Sequence, residues 1–140
     1  ELRSFYRRLS GPIIDRIDLQ VWVPPLPPAD LISSAPDDDT PRLVHGVTAA
    51  RKVQSERFGG SRLNHSMTSV EMKKWCRLCS SCRKLIERAS EQRMLSARAI
   101  SRTIKSARTI ADLDGTNEIS VEHLAEALSY RLHDFGQAAG

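Results

Sequence analysis

Much of what would declare a chemistry outright is missing from this sequence. No run of apolar residues is long enough to span a bilayer, and no secretory leader is visible, so the reading is a cytoplasmic protein without a membrane partner. No G-x-x-x-x-G-K-[ST] loop is present to cradle phosphates. No spacing suggests a Ser-His-Asp or Cys-His arrangement, so this chain alone shows no catalytic machinery. The three cysteines of "CRLCSSC" (Cys76, Cys79, Cys82) resemble part of an iron–sulfur ligand run, but a fourth is lacking. The four histidines, His45, His65, His123 and His133, make no zinc-type pairing with them. The spacing suits small, half-buried residues at a junction between helices, and a reducing cytosol argues against a disulfide there. No metal is therefore expected. Internal repeats are absent too. The chain opens on Glu1 rather than methionine, with a strand-like run soon after, which reads as a piece of a longer chain.

What is present is enough for one domain with a modest core, or a small domain with an appendage: 140 residues, 40% of them hydrophobic. The net charge of +4 hides a strong asymmetry. Residues 1–41 hold four basic and seven acidic side chains, residues 42–110 hold sixteen and four, and residues 111–140 hold one and six. A central block of +12 points to an anionic partner, whether nucleic acid, nucleotide phosphate or an acidic neighbouring subunit, unless it is merely a solvated helical surface.

Along the chain, residues 1–10 have helical spacing and end at Gly11-Pro12. Ile17, Leu19, Val21 and Val23 alternate with Asp18, Gln20 and Trp22, the pattern of a strand, which "PPLPP" terminates. Residues 24–40 compose a linker rich in proline, serine and aspartate. Helices are then expected at about 41–57, with Leu43, Val47, Ala50 and Gln54 on one face, at 69–77 behind a Thr68–Glu71 capping box, and at 80–92. Ser96 caps the next, whose inner stripe reads Ile100, Ile104, Ala107 and Ala111 and whose end is marked by Gly115. Ser120 caps the last. The fold class is thus mainly α: a bundle of about five helices over 41–132, preceded by a short helix and a β-strand in residues 1–23 and followed by a tail, 133–140.

Two constellations stand out. Arg16 sits between Asp15 and Asp18. It could bridge either aspartate, an exposed pair worth about 0–1 kcal/mol, or it could be presented outward to a phosphoryl group, where an arginine finger is worth about 10³–10⁵ in rate. Arg98, Arg102 and Lys105 fall at i, i+4 and i+7 and form one basic stripe. Arg98 lies in the first turn of its helix, where a cation is unfavourable unless an anion binds the same end. Arg102 and Lys105 are candidate phosphate or nucleic-acid contacts, or simply a solvated face.

"YRRLSGPIIDRIDLQVWVP", followed after the linker by "LSARAISRTIKSARTIADLDG" and "EISVEHLAEALSYR", resembles the C-terminal part of the magnesium-chelatase-like AAA+ ATPases of the competence-protein ComM type. The resemblance implies that residues 1–23 end an α/β nucleotide-binding core and that 41–132 form its helical lid. It implies that Arg16, in Ile13-Ile14-Asp15-Arg16-Ile17-Asp18, is an arginine finger reaching a neighbouring subunit's nucleotide, and that Arg98, in Ser96-Ala97-Arg98, is a sensor-2 arginine. ATP and Mg²⁺ would be the cofactors of the full-length protein, a homo-oligomeric ring its assembly, and DNA its load. The family usually carries an aspartate near Cys79 and a glycine near Met94, and this sequence departs from it at both. Two other readings are a basic helical nucleic-acid-binding module and an ATPase subunit for metal insertion into a porphyrin.

Overall fold

The computed structural model describes residues 16–21, 23–28, 39–93 and 95–131. The helix expected over 1–10, the linker residues 29–38, Ile13 to Asp15, Met94 and the tail lie outside them.

Among the described residues five helices form: α1 Thr40–Phe58, α2 Ser69–Trp75, α3 Ser80–Arg93, α4 Ala97–Leu113 and α5 Val121–Ser129, with a 3-10 turn, Asn64–Ser66, between the first two. Their boundaries have local causes. Pro41 occupies the first turn of α1, where its missing N–H costs nothing. Gly59 ends that helix at φ +67°, and the Gly60 N–H returns to Ser55 O at 3.1 Å. Thr68 and Glu71 make the reciprocal box that starts α2. Ser96 Oγ accepts the Ala99 N–H at 3.1 Å to start α4. Ser120 Oγ accepts from the His123 N–H, and His123 Nδ1 accepts the Ser120 N–H in return at 3.0 Å, so α5 has a box closed by a histidine.

Helix α4 is central, packing on α1, on α5 and on the 3-10 turn, while α3 packs on α5. Its buried seam is Ala99, Thr103, Ala107, Arg108, Ala111 and Asp112. Ala107 and Ala111 were expected there. Ile100 and Ile104 are only half-buried, because the seam runs one residue earlier, through smaller side chains. The apolar cluster is completed by Met67, Cys76, Cys82, Ala89, Ile119, Leu124, Ala127 and Leu128. On α1, Ala50 and Gln54 are buried, but Leu43 and Val47 stay 58% and 51% exposed. Of the face expected on α1, the second half is buried and the first half is left uncovered by the described residues.

An ionic cluster lies inside this bundle. Asp112 Oδ2 accepts from Arg57 Nη1 at 2.7 Å and from Asn64 Nδ2 at 2.8 Å, and Asp112 Oδ1 accepts from Arg57 Nη2 at 2.5 Å and from Arg108 Nε at 3.1 Å. Arg108 also donates to Asn117 O and Thr116 O, holding the turn after α4. Gln54 Oε1 accepts the Asn64 N–H at 3.0 Å. The carboxylate thus joins α1, the 3-10 turn and α4, and its polar neighbours are satisfied, as burial requires.

The expected strand has no ladder partner among the described residues. Among the described residues the sole β-type pairing is an isolated bridge between Leu78 and Ile119. Ile17, Leu19, Val21 and Val23 are all exposed, from 42% to 78%. A strand needs a ladder on at least one side, and among the described residues the bond this segment's backbone makes is from the Gln20 N–H to Tyr130 O at 2.7 Å.

Candidate functional site

The basic stripe of α4 and the segment from Arg16 enclose one cleft, about 650 Å³ in volume. Arg98, Arg102 and Lys105 line it along α4, Asp18 and Leu19 form one wall, and Glu126 and Tyr130 at the end of α5 form another. Local structure explains the placement. The Ser96 cap fixes the start of α4, and the spacing of four and three residues then sets the three cations one above another on the face opposite Ala107 and Ala111.

The three cations meet different fates. Arg102 Nη1 donates to Asp18 Oδ1 at 2.5 Å and to Arg16 O at 2.8 Å. Lys105 Nζ donates to His65 O at 3.0 Å and to Met67 O at 2.7 Å, binding the 3-10 turn to α4. Arg98 is exposed, and among the described residues its guanidinium has no hydrogen-bonding or ion-pair partner. A planar guanidinium at the N-terminal turn of a helix matches a phosphate twice over, by bidentate donation and by the helix dipole. Of the other polar groups here, Glu126 accepts from the Tyr130 hydroxyl at 2.9 Å, and Asp18 is committed to Arg102. The cleft therefore suits an anion. Among the described residues no group of three or more His, Cys, Asp or Glu side chains could hold a metal ion.

Arg16 is exposed, and its carbonyl is tied to α4 through Arg102. The sequence offered Asp18 as a bridge for Arg16, and Arg102 as a candidate phosphate or nucleic-acid contact or a solvated side chain; in the structure Asp18 pairs with Arg102. Asp18 also lies 3.8 Å from Nη2 of the buried Arg131 side chain. With the Gln20–Tyr130 bond, these contacts dock residues 16–20 on α4 and on the end of α5. The signal available for this was charge order: a lone acidic residue after Arg16 facing a chain region dominated by cations.

A small helical bundle whose central helix turns cations toward a cleft, with an arginine-bearing segment fastened beside it, defines a class. Residues 38–131 match the family described as magnesium chelatase, subunit ChlI C-terminal, and the chain belongs to that family. Over 132 residues it is 39% identical to the competence protein ComM of Haemophilus influenzae, an alignment covering 94% of this chain and 26% of that protein. It is likewise 39% identical to the uncharacterized protein YifB of Escherichia coli, over 93% of this chain and 26% of that protein. An uncharacterized protein of Mycobacterium tuberculosis (strain H37Rv) is 30% identical over 131 residues. The chain spans about a quarter of the length of the curated relatives it matches. No helix among the described residues is long and apolar enough to cross a membrane.

Proposed function

We propose that this domain is the lid of an AAA+ ATPase related to magnesium chelatase, with Arg98 as its sensor-2 arginine and Arg16 as its arginine finger. The observation that carries the reading is Arg98: an exposed guanidinium with no partner among the described residues, in the first turn of α4, lining a cleft whose other two stripe cations are already engaged. Family membership supports it.

In the full-length protein a bound nucleotide with its Mg²⁺ would supply the triphosphate. Arg98 donates to the phosphate oxygens from α4. Arg16 is exposed and reaches the nucleotide of the neighbouring subunit in a homo-oligomeric ring. Arg102 grips both the Arg16 carbonyl and Asp18, so the finger segment follows α4 when the lid moves. Loss of the terminal phosphate loosens Arg98 and Arg16 together and lets the lid turn. The load is DNA, in keeping with the competence protein among the relatives.

The test uses the full-length chain. Arg16→Ala abolishes turnover, by about 10³-fold or more, while nucleotide binding persists. Arg98→Ala weakens nucleotide binding. Turnover unchanged in Arg16→Ala refutes the finger assignment. A second reading, a nucleic-acid-binding module, draws on cations that stay exposed on the remaining surface, among them Arg51, Lys52, Lys73, Lys84 and Arg88. The two readings are compatible in one protein, and salt dependence separates them in the isolated chain.

A further inference from the structure

Cys79 and Cys82 stand apart from the α4 cleft. Cys79 directly precedes α3 and is exposed, whereas Cys82 lies in the first turn of α3 and is fully buried. Three residues apart across a helix start, they meet: the sulfurs are 3.3 Å from each other, and the Cys82 N–H donates to Cys79 Sγ at 3.4 Å. Cys79 sulfur thus occupies the place of an N-cap oxygen, where unpaired N–H groups favour a thiolate. That hydrogen bond from the Cys82 backbone, followed by the contact with the Cys82 sulfur, holds the Cys79 thiol below the usual range. Burial pushes Cys82 up to about 11, with the neighbouring Cys79 adding to it. Cys76, also raised to about 11 by burial, is packed beside Met67 Sδ at 4.0 Å and is inert by comparison.

A second observation lies next to the exposed sulfur. Cys79 lines a cleft of about 560 Å³ together with Lys74, Arg77, Asn117 and Glu118. Lys74 and Arg77 are exposed, and Lys74 Nζ sits 4.4 Å from the centroid of the Trp75 ring. Neither cation takes part in the α4 cleft.

We propose that Cys79 and Cys82 form a thiol–disulfide exchange pair whose substrate is a small anionic disulfide of the glutathione type, seated in the cleft beside Lys74 and Arg77. Cys79 thiolate attacks one substrate sulfur. The substrate S–S bond breaks, one thiolate leaves, and Cys79 is held in a mixed disulfide. Cys82 then gives up its proton to the leaving thiolate and attacks Cys79 sulfur, which breaks the mixed disulfide and releases the second substrate thiolate; that thiolate takes up, through solvent, the proton Cys79 had lost. Two protein thiols are oxidised to one disulfide, and one substrate disulfide is reduced to two thiols. In a reducing compartment the pair rests as the dithiol and cycles only when oxidised substrate accumulates.

The experiment equilibrates the purified protein with glutathione buffers of increasing oxidised fraction, quenches with acid and reads intact mass. The expected wild-type product at the oxidising end is the loss of two hydrogens, reversed by reduced glutathione. Cys82→Ser is expected to accumulate one glutathione on Cys79, Cys79→Ser to accumulate neither product, and Cys76→Ser to behave as wild type. Wild type that stays a dithiol throughout, or that stalls as a stable glutathione adduct, overturns the exchange pair; so does a Cys79→Ser variant that still oxidises. For the substrate class, the Lys74→Ala/Arg77→Ala variant is expected to slow oxidation by oxidised glutathione about fivefold or more, with oxidation by the neutral hydroxyethyl disulfide unchanged. Equal slowing by both reagents, or by neither, overturns the anionic assignment.

Discussion

Replacing Asp112 by Asn should be far more damaging than replacing either arginine beside it. The carboxylate is 3% exposed and serves two buried guanidiniums, Arg57 and Arg108, together with Asn64. Asp112→Asn keeps the shape but removes the single negative charge and presents an amide N–H₂ to one of the cations. Two positive groups are then buried without a counter-charge, a loss of about 3–5 kcal/mol. Arg57→Met has a milder consequence. Asp112 keeps Arg108 at 3.1 Å and Asn64, so the loss is of hydrogen bonds to a charged group, about 1.5–3 kcal/mol. Urea denaturation of the chain at neutral pH measures both, and thermal melting repeats the comparison at about 4–8 °C per kcal/mol for a domain of this size. Since small domains hold about 5–15 kcal/mol in total, Asp112→Asn should sit near the edge of folding while Arg57→Met remains cooperative. An Asp112→Asn protein within about 1 kcal/mol of the parent, or less destabilised than Arg57→Met, would show that the cluster does not work as a buried ion group.

Gly59→Ala should cost about 1 kcal/mol by denaturation, from the left-handed backbone at φ +67° alone, because nothing lies within 4 Å of the added Cβ; an unchanged midpoint would argue against the α1 C-cap geometry. The Glu71 carboxyl is held at about 2, chiefly by the Arg62 guanidinium and then by Thr68, against an ordinary 4.5. Its folded value is depressed, so its stabilisation is complete above about pH 4.5 and disappears as pH falls toward 2. Glu71→Gln should flatten that part of a stability-versus-pH curve, and an identical curve would exclude the Arg62–Glu71–Thr68 contact. If the exposed cations track a polynucleotide backbone, affinity of the chain for single- or double-stranded DNA should fall steeply between low and moderate salt, and absence of binding at low salt would leave the basic surface to nucleotide or subunit contacts.

The helices were legible because their ends are written locally. Thr68 with Glu71, Ser96, Ser120, Gly59 and Gly115 each act over three or four residues, and the observed boundaries follow them closely. The ionic cluster was not legible, since Arg57 and Asp112 are 55 positions apart and nothing in either neighbourhood names the other. Counting charge placed Arg57 and Arg108 in an outward-facing basic block, yet both belong to the interior. A local clue existed: Arg108 and Asp112 are four residues apart and directly follow Ala107 and Ala111, the smallest residues of the seam. The site was half legible for a similar reason. Spacing put Arg98, Arg102 and Lys105 on one face, but which of them would be consumed by carbonyls and by Asp18 depended on chain folded from elsewhere.

The seam of α4 has a mechanical consequence. Alanine and threonine side chains have little internal freedom, and tightly packed interiors barely compress, so little can give way between α4 and the helices beside it. A displacement imposed at the Arg98 end is not absorbed by rearranging side chains along the way. It is passed on to the Arg102 grip one turn further along, which holds the Arg16 carbonyl and Asp18.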